Sequence, residues 1–522
     1  MNPRNRLAQW TERTTSVVLV LLLTGTTAAF GGRVWWAPPV IGGLCLALVL
    51  LGLIRALLDG SMTVLKSPLT GLGLLVLGLA LAQLAPLPGR VSGLLSPGSR
   101  AVYSTGYLPE RVRAVDPEVV LPDPPVVRAP VSLDRSATVR WLGGATACLA
   151  VFWAVARYTD RLNHLYVVWG GVVAGFFLNT AVVAVQLLCG SKARGLYGYL
   201  EPGLSSAWAP TLTDLMAGPN TSALRPFGAI RDGHPVWALA VPDRPFLLGS
   251  QMGGASAYLA LGSVGLPLAL ALTLQFLAPR GSRESLGARL TQSGQGSLVA
   301  LVYGMLLASA VLIGLLAGPY YSIAFVPALV LVGVPSARPS GLGWSAVGLT
   351  LLPLLALAGG AGLALGWAGS RTFPPPVAFE DFGAAARVWK DSLPIAKDFP
   401  LLGTGLGTFA SVYPYYKTQD AASTTAMSSL LQWWIEAGGV GMGLLAAALA
   451  WCVVKLPRAV RRVGTADRSL AFGLIGAAVG FTLFSAVHWT IELASVALAA
   501  SALAGVGNRW LAGGSDLFVE RV

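Results

Sequence analysis

The chain has 522 residues, of which 54% are hydrophobic and only 11% are charged, with a formal net charge of +13. Soluble globular domains carry about 25% charged residues, so this composition excludes an ordinary soluble protein. The positive charge does not indicate nucleic-acid binding, because the basic residues are scattered through short connections and form no continuous patch.

The apolar residues predict an all-α, polytopic membrane protein with about twelve transmembrane helices. They fall in runs near the ~20 residues that a helix needs to cross the hydrocarbon core, and backbone groups in lipid must find their hydrogen bonds within a helix. In chain order, the predicted spans are 15–31, 37–57, 68–86, 138–157, 165–188, 249–278, 297–317, 319–335, 344–368, 427–455, 470–488 and 490–511.

The basic residues are distributed asymmetrically across this topology. Short connections on the side of the N-terminus are rich in Lys and Arg, whereas those on the other side carry essentially only Arg33. The positive-inside rule therefore predicts a multi-pass membrane protein with both termini in the cytoplasm. Three long loops then face outward, the Pro-rich 87–137, 189–248 and 369–426. They separate helical segments 1–188 (which holds the first loop), 249–368 and 427–522.

The third outward loop is the most informative segment. It contains a predicted helix from Glu380 to about Leu393, which Pro394 is expected to end or kink. A glycine-rich stretch follows from Phe399 to Phe409, which predicts a tight turn with close backbone approach.

Cations in the same loop are candidates for binding a phosphate or pyrophosphate. Arg387, Lys390 and Asp391 are spaced to share one helix face. The alternative is a set of ordinary salt bridges on a solvated loop.

The order of motifs resembles the signature loop of the O-antigen ligase and O-antigen polymerase superfamily, whose members act in the bacterial envelope. The residues that carry this resemblance are Arg387-Val388-Trp389, the stretch from Asp398 through the glycine-rich loop to Phe409, Leu431-Gln432, Glu436 and the glycines from Gly438 to Gly441. Weaker matches lie in Leu84-Ala85-Pro86-Leu87-Pro88 and Arg225-Pro226-Phe227-Gly228.

The resemblance implies transfer of a glycan from a polyprenyl-pyrophosphate carrier to a lipid or glycan acceptor at the outer face of the inner membrane. Because the donor carries its own leaving group, such a reaction needs no metal and no other cofactor. It needs cations for the leaving pyrophosphate and a base for the acceptor hydroxyl. The candidate substrate-binding residues are Arg387, Lys390, Arg371, Arg231, Arg225 and Glu436.

The sequence departs from the family pattern where the family carries a histidine, since Met427 occupies that position and cannot act as a base. The candidate catalytic base is instead His234, which Arg225 and Arg231 precede in the second outward loop; the alternative is a solvent-exposed histidine without a catalytic role. His488 and Glu492 are predicted to form an interfacial ion pair near the last outward turn.

Three functions therefore stay open from the sequence. The first is glycan transfer as in the O-antigen ligases. The second is a catalytically degenerate member that binds lipid-linked glycan or scaffolds polysaccharide assembly. The third is a transporter or flippase, a class that usually shows two related halves with ionisable residues at the membrane midplane.

Overall fold

A computed structural model describes residues 3–28, 37–59, 67–105, 128–189, 255–277, 295–337, 344–368, 382–418, 423, 425–464, 467–488, 490 and 494–512. Within these ranges the chain is helical and has no β-strand, only an isolated antiparallel bridge between Leu87 and Ala129. The predicted all-α class is confirmed.

The described helices are α1 (Pro3–Ala28), α2 (Ala37–Asp59), α3 (Pro68–Leu84), α4 (Gly89–Leu95), α5 (Pro97–Thr105), α6 (Arg135–Tyr158), α7 (Leu162–Cys189), α8 (Ala255–Leu277), α9 (Gln295–Ser322), α10 (Phe325–Ala337), α11 (Trp344–Ala368), α12 (Phe382–Asp398), α13 (Phe409–Val412), α14 (Ser429–Arg462), α15 (Arg468–Val487) and α16 (Ala494–Leu511). A 3₁₀ turn, Tyr413–Tyr415, follows α13.

Every predicted span overlaps one of these helices. Eight of the described helices are long and apolar enough to cross a membrane, namely α2, α6, α7, α8, α9, α11, α14 and α15, and α3 and α10 are shorter apolar helices. The chain is therefore a polytopic membrane protein, while the count of twelve spans stays a prediction.

Helix α8 lies at the centre of the bundle. Every side chain from Tyr258 to Gln275 is buried, as expected for a helix that is apolar all round. It packs against α7, α9, α10 and α15. The approach to α15 is close, since a Cβ added at Gly480 would lie 2.6 Å from the carbonyl oxygen of Ser263, and such small residues let membrane helices pack backbone to backbone.

The structure brings together helix ends that the distribution of basic residues assigns to the same side of the membrane. The end of α3, the start of α6 and the start of α14 converge on the glycine-rich loop. At the opposite ends, Glu12 of α1 contacts Arg55 of α2 and His164 of α7. This grouping agrees with the predicted topology; which end faces the cytoplasm stays a prediction.

Helix α12 runs further than predicted. Pro394 lies inside it, and the helix continues to Asp398. A proline removes one backbone donor and leaves the carbonyl four residues earlier without its helical partner. That carbonyl belongs to Lys390, whose side chain is exposed, so water can solvate this edge of the helix.

Candidate functional site

The glycine-rich loop, residues 399–409, adopts a backbone that only glycines support readily. Gly403, Gly405 and Gly407 have φ values of +68°, +109° and +82°, a region that other L residues rarely occupy. Space is limiting as well, because a Cβ at Gly403 would lie 2.4 Å from the backbone carbonyl of Glu436. The predicted tight turn and close backbone approach are confirmed.

The loop is bonded to a kink at the start of α14. At Gly438 the helix departs from helical geometry, with φ +64° and ψ −164°. The N–H groups of Gly439 and Val440 consequently turn to the carbonyls of Pro400 and Leu401, at 2.8 and 3.1 Å. In exchange, carbonyls of α14 accept bonds from the loop, Ile435 from Thr404 N at 2.9 Å and Glu436 from Gly405 N at 3.1 Å. The kink thus makes α14 a binding partner for the loop.

The carboxylate of Glu436 fixes the same loop from within. Its Oε2 accepts the N–H of Gly407 at 2.8 Å, and its Oε1 accepts the N–H of Phe409 at 3.0 Å and Nε2 of Gln432 at 3.2 Å. The side chain is buried. Charge-assisted bonds of this kind are among the stronger ones in proteins. In this state Glu436 holds the loop, and the substrate-binding role predicted for it stays a prediction.

Gln83, at the end of α3, connects the N-terminal helices to this loop. Its amide nitrogen donates to the carbonyls of Leu402 and Glu436, at 2.7 and 2.9 Å, and its amide oxygen accepts Leu406 N at 3.0 Å. It is fully buried. No sequence pattern indicated Gln83; the nearest residue with a family resemblance is its neighbour Leu84, in the weak N-terminal match.

Asp134 ties the start of α6 to the far end of the loop. One carboxylate oxygen caps α6 by accepting Ala137 N at 3.0 Å, and the other accepts the hydroxyl of Ser411 at 2.8 Å. Burial alone would disfavour the charged form, but the bonds from Ala137, Ser136 and Ser411 outweigh it and lower the pKa of Asp134. Its charge therefore stabilises the folded state.

Helix α12 buries its acidic side chains and exposes its cations. Asp391 is buried and accepts the backbone N–H and the hydroxyl of Thr418, each at 3.0 Å, and the buried Asp398 accepts Tyr416 Oη at 2.9 Å. Arg387 and Lys390 are exposed. Asp391 lies one helical turn after Arg387, as the spacing predicted, but its side chain is buried against the segment after the loop and does not belong to the exposed surface that carries Arg387 and Lys390.

The other predicted site residues are placed less completely. His234, Arg225, Arg231 and Arg371 lie outside the residues that the structure describes, so their roles stay predictions. Among the described residues, no group of three or more His, Cys, Asp or Glu side chains is arranged to hold a metal ion.

Met427 and His488 both lie at the start of α14. Met427 has a left-handed backbone, with φ +52°. Its side chain is partly buried and packs against two apolar clusters, the core of the helix bundle and a smaller one that includes Val388 and Ile395 of α12. The His488 ring stacks on Phe484 at 5.4 Å and meets Tyr321 edge-on at 5.7 Å. Its carbonyl accepts Ser429 N at 3.3 Å. Glu492, its predicted partner, lies outside the described residues.

A polar cluster joins the opposite ends of the helices. His164 Nε2 lies 2.7 Å from Glu12 Oε1, and its Nδ1 lies 2.6 Å from Asp160 Oδ1 in an ion-pair contact. Arg55 approaches Glu12 at 3.4 Å. Burial opposes the charge of Asp160, but the contact with His164 prevails and lowers the pKa of this carboxyl. We interpret the cluster as a clamp that joins α1, α2 and α7.

No protein-family model matches the chain, and no curated protein is significantly similar to it.

Proposed function

We propose that this protein binds a polyprenyl-pyrophosphate-linked glycan at the outer membrane surface and transfers the glycan to a lipid or glycan acceptor. The observation that carries the proposal is the arrangement around the glycine-rich loop. This loop, with positive φ angles at its glycines, is hydrogen-bonded to residues of α3 and α14 and to the start of α6. It directly follows α12, on which Arg387 and Lys390 are exposed.

The chemistry assigns separate tasks to these groups. Transfer requires the acceptor hydroxyl oxygen to form a bond to the anomeric carbon of the donor sugar while the bond from that carbon to the pyrophosphate oxygen breaks. The pyrophosphate leaves with the bonding electron pair, and Arg387 and Lys390 stabilise its developing charge. The hydroxyl proton passes to a base, for which His234 is the candidate. The anchored loop keeps α12 in a fixed position relative to α14, which limits misplacement of the donor.

A second function, binding without transfer, is favoured by Met427. In the resembling family this position carries the histidine, and here a thioether that cannot accept a proton is packed between two apolar cores. A member without the base would still bind lipid-linked glycan and could organise other components of polysaccharide assembly.

The test uses the purified full-length protein in lipid nanodiscs with a radiolabelled polyprenyl-pyrophosphate-linked glycan and an acceptor. Binding is measured first, then formation of glycosylated acceptor. Replacing both cations in the variant Arg387→Gln/Lys390→Gln should weaken donor binding at least tenfold, since a hydrogen bond to a charged group contributes about 1.5–3 kcal/mol. Arg135→Gln, which removes an exposed cation from the start of α6, is the matched control and should bind normally.

Each outcome decides between the two functions. Binding with product formation supports transfer, whereas binding without product, together with unchanged surface-glycan length in a deletion strain, supports the binding function. Absence of donor binding, or equal binding by the double variant and wild type, contradicts both.

A further inference from the structure

We propose that the exposed face of α12 binds anionic phospholipid headgroups, so that the helix holds the glycine-rich loop at the lipid–water interface. This inference concerns the bulk lipid around the protein and does not depend on glycan transfer. It accounts for a cation of α12 that the proposed function leaves without a task, Lys397.

The first observation is that α12 buries its acidic side chains and exposes its cations. The helix Phe382–Asp398 contains two acidic residues, Asp391 and Asp398, and both are buried and bonded to Thr418 and Tyr416. Its three cations, Arg387, Lys390 and Lys397, are all exposed. The exposed charged side chains of this described helix are therefore all cations, and they are complementary to an anionic surface.

The second observation is the apolar surface among these cations. Leu393 lies between Lys390 and Lys397 and is 44% exposed, and Leu401, just beyond the helix, is 45% exposed. Long cationic side chains beside exposed leucines are typical of helices that lie in the membrane interface, where the apolar groups enter the headgroup region and the charges meet phosphates.

The third observation is the spacing of the cations. A helix rises 1.5 Å per residue, so Arg387 and Lys390 are about 4.5 Å apart along the axis, whereas Lys390 and Lys397 are about 10 Å apart. One pyrophosphate is matched by the closer pair, Arg387 and Lys390. A row of separate phosphates, as a lipid surface presents, matches the full length of the stripe.

The fourth observation places α12 near the membrane. The carbonyl of Pro400, two residues after α12, accepts the N–H of Gly439 at 2.8 Å, and Gly439 belongs to α14, a helix long and apolar enough to span the membrane. The C-terminal end of α12 is thereby held beside a span, which favours a lipid surface over a soluble polyanion as its partner.

The experiment compares the full-length protein in nanodiscs of zwitterionic phosphatidylcholine with nanodiscs that also contain phosphatidylglycerol, without any glycan. Hydrogen exchange of the backbone amides in residues 382–398 is followed by mass spectrometry. Docking on anionic lipid lowers the population of locally opened helix, so exchange should slow at least threefold with phosphatidylglycerol. High salt should remove this difference because it screens exposed charges.

Variants assign the effect to the stripe. Lys397→Gln and Leu393→Asn should each reduce the lipid-dependent difference by half or more, whereas Arg135→Gln on α6 should leave it unchanged. Unaltered exchange in α14 verifies that the variants are folded. Equal exchange in the two lipids, or an equal lipid effect in Lys397→Gln and wild type, would overturn the proposal. Either result leaves the donor-binding test above unaffected, since that test depends on Arg387 and Lys390.

Discussion

At the scale of single residues, Glu436 is the group on which the candidate site depends most directly. Its buried carboxylate accepts two backbone N–H groups of the glycine-rich loop and the amide of Gln432. All three partners are donors, so the site requires an acceptor on both oxygens. A glutamine at this position would present its own N–H₂ to a backbone N–H, and it is no substitute despite its equal size.

We therefore expect Glu436→Gln to destabilise the seating of the loop by about 1–3 kcal/mol, the range for a buried polar group left without its partner. The measurement is hydrogen exchange of residues 399–412 in the full-length protein, which should accelerate by about tenfold or more. Glu12→Gln is the matched control, because it makes the same chemical change at the opposite helix ends. Equal protection of the loop in wild type and Glu436→Gln would show that the carboxylate does not hold it.

At the scale of elements, α6 and the glycine-rich loop share one carboxylate. Asp134 caps the helix through Ala137 N and holds Ser411 at the end of the loop. Its pKa is lower in the folded protein than its ordinary value of 3.8. The resulting stabilisation is fully present above the unfolded pKa and is lost as the pH falls through the lower, folded value.

Two substitutions separate the cap from the charge. Asparagine caps helices as well as aspartate does, so Asp134→Asn keeps the cap but lacks the charge. It should unfold at a lower temperature than wild type at pH 7, and this difference should close as the pH falls below the ordinary aspartate pKa of 3.8. Asp134→Ala loses the cap as well and should be destabilised by about 1 kcal/mol at neutral pH. Thermal unfolding of the detergent-solubilised protein, followed by tryptophan fluorescence, measures both. Parallel acid profiles for wild type and Asp134→Asn would contradict this role.

The elements also show what a sequence can and cannot predict here. Apolar runs near twenty residues place the helices, because lipid permits few other structures, and the glycines of residues 403–407 predict a tight turn because other residues strain there. The role of Gln83 could not be predicted, since its partners lie more than three hundred residues away. The inward turn of Asp391 depends on Thr418, a contact between segments that helical spacing does not contain.

At the scale of the whole molecule, the topology links every functional proposal to one side of the membrane. The ends of α3, α6 and α14 meet at the glycine-rich loop, and the polar cluster of Glu12, His164 and Asp160 lies at the opposite ends. The positive-inside rule predicts that the loop faces outward. A lipid-linked glycan made available on that side can reach α12 only if this orientation holds.

Cysteine labelling of intact cells tests this orientation. In a background without the four native cysteines, a membrane-impermeant maleimide should label Ser136→Cys, at the start of α6, from outside. It should label Arg13→Cys and Arg458→Cys only after the cells are permeabilised, because these positions lie on the predicted cytoplasmic side. All three side chains are exposed in the structure, and labelling after permeabilisation shows that Arg13→Cys and Arg458→Cys can react, so their protection in intact cells reports sidedness.

The pattern of labelling also tests the number of spans. Arg13 precedes the first predicted span and Arg458 follows the tenth. An even number of crossings separates the two residues if all ten spans exist or if an even number of them is absent. If Arg13→Cys is labelled from outside and Arg458→Cys is protected, one of the ten predicted spans does not cross the membrane. Helix α1 would be the first candidate for this missing span, because it is not among the eight long apolar helices. Labelling of Arg458→Cys from outside, with protection of Ser136→Cys, would show that the protein has the opposite orientation in the membrane. The glycine-rich loop would then face the cytoplasm, where transfer from an outward-facing lipid-linked glycan is impossible.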